Sequence, residues 1–164
     1  MKTKIKDSLT IVYTGEGKGK TSASLGLLVR ALGAGQRVAY VQFIKLWDVS
    51  EHQFIQKIMP LYEDTFDFYK GGLGFYDAGE LSSRASEAEH KQHARQTYDF
   101  AYECATSGRY DLVICDEINN AVRDGLLSRS DLGSIIDNKS PKTSLCLTGR
   151  NFPEKLLAHV DIAT

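Results

Sequence analysis

No run of apolar residues in this 164-residue chain approaches the roughly 20 that a membrane-spanning helix needs, so no membrane partner is expected. The charged start, Met1 to Ser8, leads into an apolar stretch that glycines interrupt at once, which argues against a signal peptide. A surplus of charge is also lacking. Twenty Lys and Arg stand against 21 Asp and Glu, a formal net charge of −1. That balance leaves no electrostatic footprint for nucleic acid, and none is expected as a partner. Cysteine is scarce and odd in number: Cys104, Cys115 and Cys146 are widely spaced, with no CxxC or CxxH pair. Cys115 and Cys146 sit in apolar runs, where a free thiol packs as a small hydrophobe. A reducing, cytoplasmic setting is expected. His52, His90, His93 and His159 show no metal-type spacing with carboxylates or thiols, and His90 and His93 are assigned to the solvated face of a long helix. Internal repeats and low-complexity segments are missing too.

What is present is an ordinary globular composition, 42% hydrophobic and 25% charged, of a length that suits one domain over residues 1–164. Leu9 to Tyr13 (LTIVY) reads as a buried strand ending in a glycine loop. Leu25, Leu28, Val29 and Leu32 then share one helical face, and Gly33-Ala34-Gly35 ends that helix. Arg37 to Phe43 is a second strand, which makes a βαβ unit with a right-handed crossover. Ser50 to Met59 is expected as a helix capped by Ser50 and Thr65 to Tyr69 as a strand, with Lys70 to Gly74 a flexible loop. Glu80 to Ser107 reads as one long polar helix with a stripe of Ala94, Tyr98, Ala101 and Ala105. A strand at Leu112–Cys115 follows, then helical turns near Asn119–Asp124 and Arg129–Asp137. A strand at Thr143–Leu147, a helix after Pro153 and an edge strand at Val160–Ala163 complete the chain. Alternating helices and nearly all-apolar strands predict a doubly wound α/β sheet whose ligand sits at the carboxyl ends of the strands.

Every chemically loaded motif falls at such an end. Gly15-Glu16-Gly17-Lys18-Gly19-Lys20-Thr21 links the first strand to the first helix. Glycines let backbone N–H groups approach phosphate oxygens, and the helix N-terminus adds positive potential. Lys20 supplies a point charge and Thr21 a hydroxyl for Mg²⁺, so ATP with Mg²⁺ is the expected ligand. The spacing is one residue shorter than the usual G-x-x-x-x-G-K-[ST]. The fold expected is therefore a single-domain, mostly parallel sheet of the P-loop NTPase (RecA-like) type. Asp116-Glu117 ends the LVIC strand, which is read as lying beside the loop strand, where a carboxylate holds Mg²⁺ directly or through water. Arg150, in Thr148-Gly149-Arg150, together with Arg30 and Lys45, are candidate phosphate or ribose contacts, with an ordinary surface cation as the other reading.

Three segments together are more discriminating than the loop alone: TGEGKGKTSASLGLLVRALGAGQRVAYVQFIK, DLVICDEINNAVRDGLL and LTGRNFPEKLLAHVD. They resemble the P-loop ATP:corrinoid adenosyltransferases, from about Leu9 to the C-terminus and least between Trp47 and Ser107. The resemblance implies attack of a Co(I) corrinoid on the 5′ carbon of ATP, with triphosphate leaving and a cobalt–carbon bond forming. It also implies a nucleotide lying reversed in the loop, an electron donor such as a reduced flavoprotein, and a homodimer. Carried onto this chain, it assigns ATP to Gly15, Glu16, Gly17, Lys18, Gly19, Lys20, Thr21, Ser22, Arg30 and Arg150. Lys20, Glu117 and Asp116 become catalytic, Thr21 and Glu117 the Mg²⁺ ligands, and Phe75, Tyr76 and Lys45 corrinoid contacts. Phe66, Phe68 and Tyr69 extend the aromatic segment meant to cover the corrinoid's lower face, ordinary packing being the other reading. Two features depart from the family pattern: Asp77 stands where the family has tryptophan, and the chain is shorter at both ends. If Thr164 is the native end, corrinoid closure is expected to depend on a partner subunit or to be weaker; if the protein is shortened, ATP binding is expected to survive better than transfer. Another P-loop ATPase or kinase, or a non-catalytic corrinoid- or nucleotide-binding module, are the competing readings.

Overall fold

Hydrophobic runs of four or five residues, separated by helices long enough for a crossover, are suited to pairing as parallel strands, and this chain pairs them so. The computed structural model describes residues 7–74 and 84–164. Its strands are β1 (Thr10–Tyr13), β2 (Val38–Gln42), β3 (Phe66–Lys70), β4 (Leu112–Asp116), β5 (Ser144–Thr148) and β6 (Ile162–Ala163). They form one sheet in the order β3-β2-β4-β5-β1-β6, and each of the five pairings is parallel. Alternate residues of each strand face opposite layers. Val38, Tyr40, Leu112, Ile114 and Cys146 pack with α1 (Lys20–Gly33) and α2 (Ser50–Ile58) through Leu28, Leu32 and Ile55. Ala39, Val41, Val113, Cys115, Leu145 and Leu147 face the other way. They meet α3 (Glu87–Thr106), α4 (Ile118–Arg123) and α5 (Arg129–Asn138) through Ala101, Ile118, Leu132 and Ile135. All three cysteines are free and buried. Among the described residues no helix is long and apolar enough to cross a membrane.

The sheet order corrects one expectation. β1 and β2 are parallel but not neighbours, because β4 and β5 lie between them. Hence Asp116 does not end the strand next to the glycine loop; β5 intervenes and brings Thr148 between them.

Other differences are local. Ser50 is the first helical residue of α2 and extended Val49 precedes it, so Ser50 is no cap. The helix expected from Glu80 begins at Glu87, where the Ser86 hydroxyl accepts from the Glu89 N–H and the Glu89 carboxylate accepts from the Ser86 N–H. Residues 75–83 lie outside the described part. His90 is buried, not solvated, because it lies one step before the stripe of Ala94, Tyr98, Ala101 and Ala105. His93 is exposed. After Pro153 the chain forms a 3₁₀ helix, Glu154–His159. The glycine segment after β3 is packed rather than flexible: Gly71 N–H donates to Gln42 O and Gly74 N–H to Ile44 O.

Candidate nucleotide site

The loop between β1 and α1 turns on two glycines with left-handed backbone, Gly15 (φ 96°) and Gly19 (φ 101°), a conformation that side chains with Cβ rarely adopt. Gly19 caps α1, so Lys20 and Thr21 occupy its first turn, where free N–H groups and the helix dipole favour an anion. The Lys20 ammonium donates to Gly15 O at 2.8 Å and to Gly17 O, arching over the loop. A cleft of about 460 Å³ opens above it. Gly17, Lys18, Gly19, Lys20, Thr21, Ser22, Glu117 and Arg150 line it, together with Asn120, Arg123, Thr148 and Gly149.

Beneath the cleft lies Asp116, fully buried at the end of β4. A buried carboxylate needs donors, and it has them. Thr21 Oγ1 donates to it at 3.1 Å, Thr148 Oγ1 at 2.7 Å and Gln42 Nε2 at 3.1 Å. Thr148 in turn accepts from the Glu117 N–H at 2.9 Å. Accepting the Thr21 proton leaves the lone pairs of that hydroxyl for the cleft. Lys45 Nζ lies 4.0 Å from Asp116 and 2.8 Å from Glu51 Oε1. Burial opposes the charge on Lys45, but the Glu51 hydrogen bond and the charges of Asp116 and Glu117 outweigh it and raise its pKa.

Glu117 is the strained residue of the site. It has a left-handed backbone (φ 64°) without being glycine, a conformation that persists only where the surroundings enforce it. Its Oε2 is buried with no hydrogen-bond partner. Burial, and then the nearby charge of Asp116, push its carboxyl up to about 7, against the pull of Lys45 and Arg123. An orphaned carboxylate oxygen and a threonine hydroxyl on residues that line one cleft are the kind of hard-oxygen donors a magnesium ion takes. Among the described residues no group of three His, Cys, Asp or Glu could hold a metal by itself. A cation held at Glu117 and Thr21 would need further ligands from outside these side chains, such as phosphate and water.

The third wall comes from the end of β5. Gly149 (φ 126°) packs so closely on α4 that a Cβ would meet Asn119 Cβ at 2.9 Å and Asn120 N at 3.0 Å. Asn119 Nδ2 donates to Gly149 O at 3.2 Å, and the Arg150 N–H donates to Asn120 Oδ1 at 2.8 Å. The DEINN and TGR segments thus form one unit. Arg150 also pairs with Glu16 at 3.3 Å, both exposed.

Several sequence candidates stand apart from the cleft wall. Gly15 contributes a carbonyl to Lys20, Glu16 pairs with Arg150, and Lys45 belongs to the acidic cluster behind Asp116. Arg30 is exposed in the last turn of α1. Phe75 and Tyr76 lie outside the described residues. Phe66 is in the core with α1 and α2, Phe68 packs on Tyr40, and Tyr69 stacks on Phe100 at 4.8 Å. Sequence reasoning missed Gln42, Asn120, Arg123 and the Thr148 hydroxyl. For Thr148 a signal existed, a hydroxyl residue closing an apolar strand.

A family model described as ATP:corrinoid adenosyltransferase BtuR/CobO/CobP matches residues 6–164. The chain is 34% identical over 158 residues to a corrinoid adenosyltransferase of Sinorhizobium sp, covering 95% of this chain and 70% of that protein. It is 27% identical over 154 residues to a corrinoid adenosyltransferase of Escherichia coli K12, covering 93% and 73%. In structure it is similar to the flagellar accessory protein FlaH from Methanocaldococcus jannaschii, with a TM-score of 0.56 and 14% identity over 93% of this chain and 66% of that one. That likeness speaks for the fold alone, a parallel α/β sheet of the RecA-like P-loop type.

Proposed function

The chain belongs to the ATP:corrinoid adenosyltransferase family, and we propose that it transfers the 5′-deoxyadenosyl group of ATP to a Co(I) corrinoid in adenosylcobalamin synthesis or salvage. The Co(I) electron pair forms the bond to C5′, the C5′–O bond breaks, and its electrons leave with triphosphate. The nucleophile comes with the substrate, so the protein needs no nucleophile or base of its own. What it supplies is position and neutralisation of the leaving group.

The observation that supports this site most is the orphaned Oε2 of Glu117, a residue that lines the same cleft as Thr21. Glu117 and Thr21 hold Mg²⁺ in this reading, which would neutralise part of the phosphate charge when bound. Asp116 accepts the Thr21 proton and turns the hydroxyl oxygen toward the cleft. Lys20 and the N–H groups of Gly17 to Ser22 bind the triphosphate, with Arg150 at its rim. The short loop suits a reversed nucleotide that leaves C5′ open to the corrinoid. Lys45, Phe75 and Tyr76 remain the assigned corrinoid contacts, and Arg30 an assigned nucleotide contact. A reduced flavoprotein as electron donor, a homodimer and a cytoplasmic location complete the proposal.

The test is to incubate the protein with ATP, Mg²⁺ and chemically reduced cobalamin and follow the corrinoid spectrum. A light-sensitive alkylcobalamin and stoichiometric triphosphate are expected. ADP with phosphate in their place points to a P-loop hydrolase or kinase, and ATP binding with neither product points to a binding module.

A further inference from the structure

Behind the cleft a hydrogen-bonded line runs inward from Thr21 to a histidine remote from the cleft wall. Thr21 Oγ1 and Gln42 Nε2 both donate to Asp116, and Gln42 Oε1 is bonded to His52 Nε2. Gln42 and His52 are both buried almost completely. The chemistry of each group fixes the polarity of this line. A carboxylate only accepts, so Gln42 must turn its amide NH₂ to Asp116 and its carbonyl oxygen to the imidazole. His52 Nε2 must then carry the proton and donate. Its Nδ1 is buried without a hydrogen bond, the Asp48 carboxylate being 3.8 Å away. Burial, and then the charge of Lys70, push the His52 pKa down, which agrees with a neutral ring. Phe68 packs against the ring at 5.8 Å and holds its plane.

We propose that His52 is a positioning residue: through Gln42 it fixes the Asp116 carboxylate and so the direction in which Thr21 presents its lone pairs to a divalent cation carried by the nucleotide. Without the imidazole donor, the Gln42 carbonyl loses its partner and the amide is free to turn over. A turned amide points its oxygen at Asp116, and two acceptors face one another. The carboxylate then moves, and the Thr21 hydroxyl with it. The proposal rests on the magnesium–nucleotide reading of the site, but not on the identity of the acceptor.

Two measurements on the full chain test it. In the metal-free protein labelled with ¹⁵N-histidine, the His52 ring should show a protonated Nε2 and a bare Nδ1 at neutral pH. An Nδ1-protonated or doubly protonated ring overturns this polarity. The second is calorimetric ATP binding as a function of Mg²⁺, with no corrinoid present. His52→Leu should raise the Mg²⁺ needed for half-saturation about tenfold, the scale on which such supporting partners act on metal affinity, with Mg²⁺-free ATP binding unchanged. His52→Gln, whose amide can donate to Gln42, should recover most of the loss. The double variant Gln42→Leu/His52→Leu should be no worse than Gln42→Leu alone. A wild-type Mg²⁺ dependence in His52→Leu sinks the proposal, as does an equal loss of Mg²⁺-free binding. Should His52→Leu fail to fold, Gln42→Leu and the wild-type spectrum carry the same test. If the wild type transfers no adenosyl group while these Mg²⁺ shifts appear, the function reading fails and the relay stands. If the wild type transfers the group and no such shift appears, the relay fails and the function reading stands.

Discussion

Two glycine-rich loops leave this sheet after β1 and β3, strands that β2, β4 and β5 separate, and they use glycine for opposite reasons. In the loop after β1, a Cβ built on Gly15, Gly17 or Gly19 meets nothing within 4 Å. Glycine is there for left-handed backbone at Gly15 and Gly19 and for room in which a ligand approaches the chain. In the segment after β3, a Cβ on Gly71 would collide with the Thr97 side chain, and one on Gly72 would overlap the Ile44 carbonyl group. There the space is already filled by protein. The first loop is shaped for a partner that binds, the second for the neighbour it packs on, and composition alone does not separate them.

The largest effect should come from the open loop. Lys20→Ala removes the ammonium group seated in the loop's own arch, so adenosyl transfer should fall about 10³-fold, the scale of losing one preorganised charge stabiliser. Initial rates with reduced cobalamin check this, and a near-normal rate refutes the role of Lys20. Thermal stability should hardly change.

Next in size is the packed loop. Gly72→Ala forces a methyl group against backbone, which cannot swing aside as a long side chain can. A loss of about 3 kcal/mol is expected for such overpacking, or roughly 10 °C in unfolding midpoint for a domain of this length. Gly71→Ala meets a side chain instead, and Thr97→Ala in the same chain should return part of its loss. A Gly72→Ala protein as stable as the wild type would show that the two loops do not differ in packing.

A smaller effect separates the two regions by pH. Burial and Asp116 hold the Glu117 carboxyl at about 7, above its ordinary 4.5. The folded state thus binds more protons than the unfolded one between those values. The stability this group contributes is present below about 4.5 and is lost as pH rises through about 7. Magnesium binding has the opposite sign, because the cation needs the ionised carboxylate. Mg²⁺–ATP affinity should climb with pH up to about 7, by at most about tenfold per pH unit. Calorimetry across that range checks it, and Glu117→Gln should flatten the curve. The packed glycine segment after β3 has no titratable group of this kind, so the stability of Gly72→Ala relative to the wild type should not vary over the same window.

Much of this molecule is legible in its residues. Apolar runs of four or five residues locate the strands to within a residue or so, and the short Gly-Lys-Thr loop with Asp116-Glu117 locates the cleft. What stays hidden depends on pairing between distant segments. Nothing in LTIVY or RVAYVQF says that β4 and β5 will enter between them, so the Thr148 bridge to Asp116 is invisible before the fold is known. Gln42 and His52 meet only because α2 folds back on β2. His90 is a different kind of miss. Its position, four before Ala94, continues the buried stripe, but the polarity of an imidazole argues for solvent, and here the period wins.

The smallest expected effect separates the two loops most cleanly. Gly17 lies in the open loop, without a left-handed backbone, and a Cβ there touches no protein atom within 4 Å. Gly17→Ala should shift unfolding stability by no more than about 1 kcal/mol, of either sign, because the added methyl restricts the unfolded chain as well as the folded one. Yet Gly17 lines the cleft, so the same methyl group occupies room meant for phosphate oxygens, and ATP affinity should fall severalfold. Parallel thermal melts and ATP titrations of Gly17→Ala and Gly72→Ala decide the matter. If the first variant melts as early as the second, the loop after β1 is held by packing after all. If it melts normally and still loses ATP, its glycines serve a ligand that the fold itself does not need.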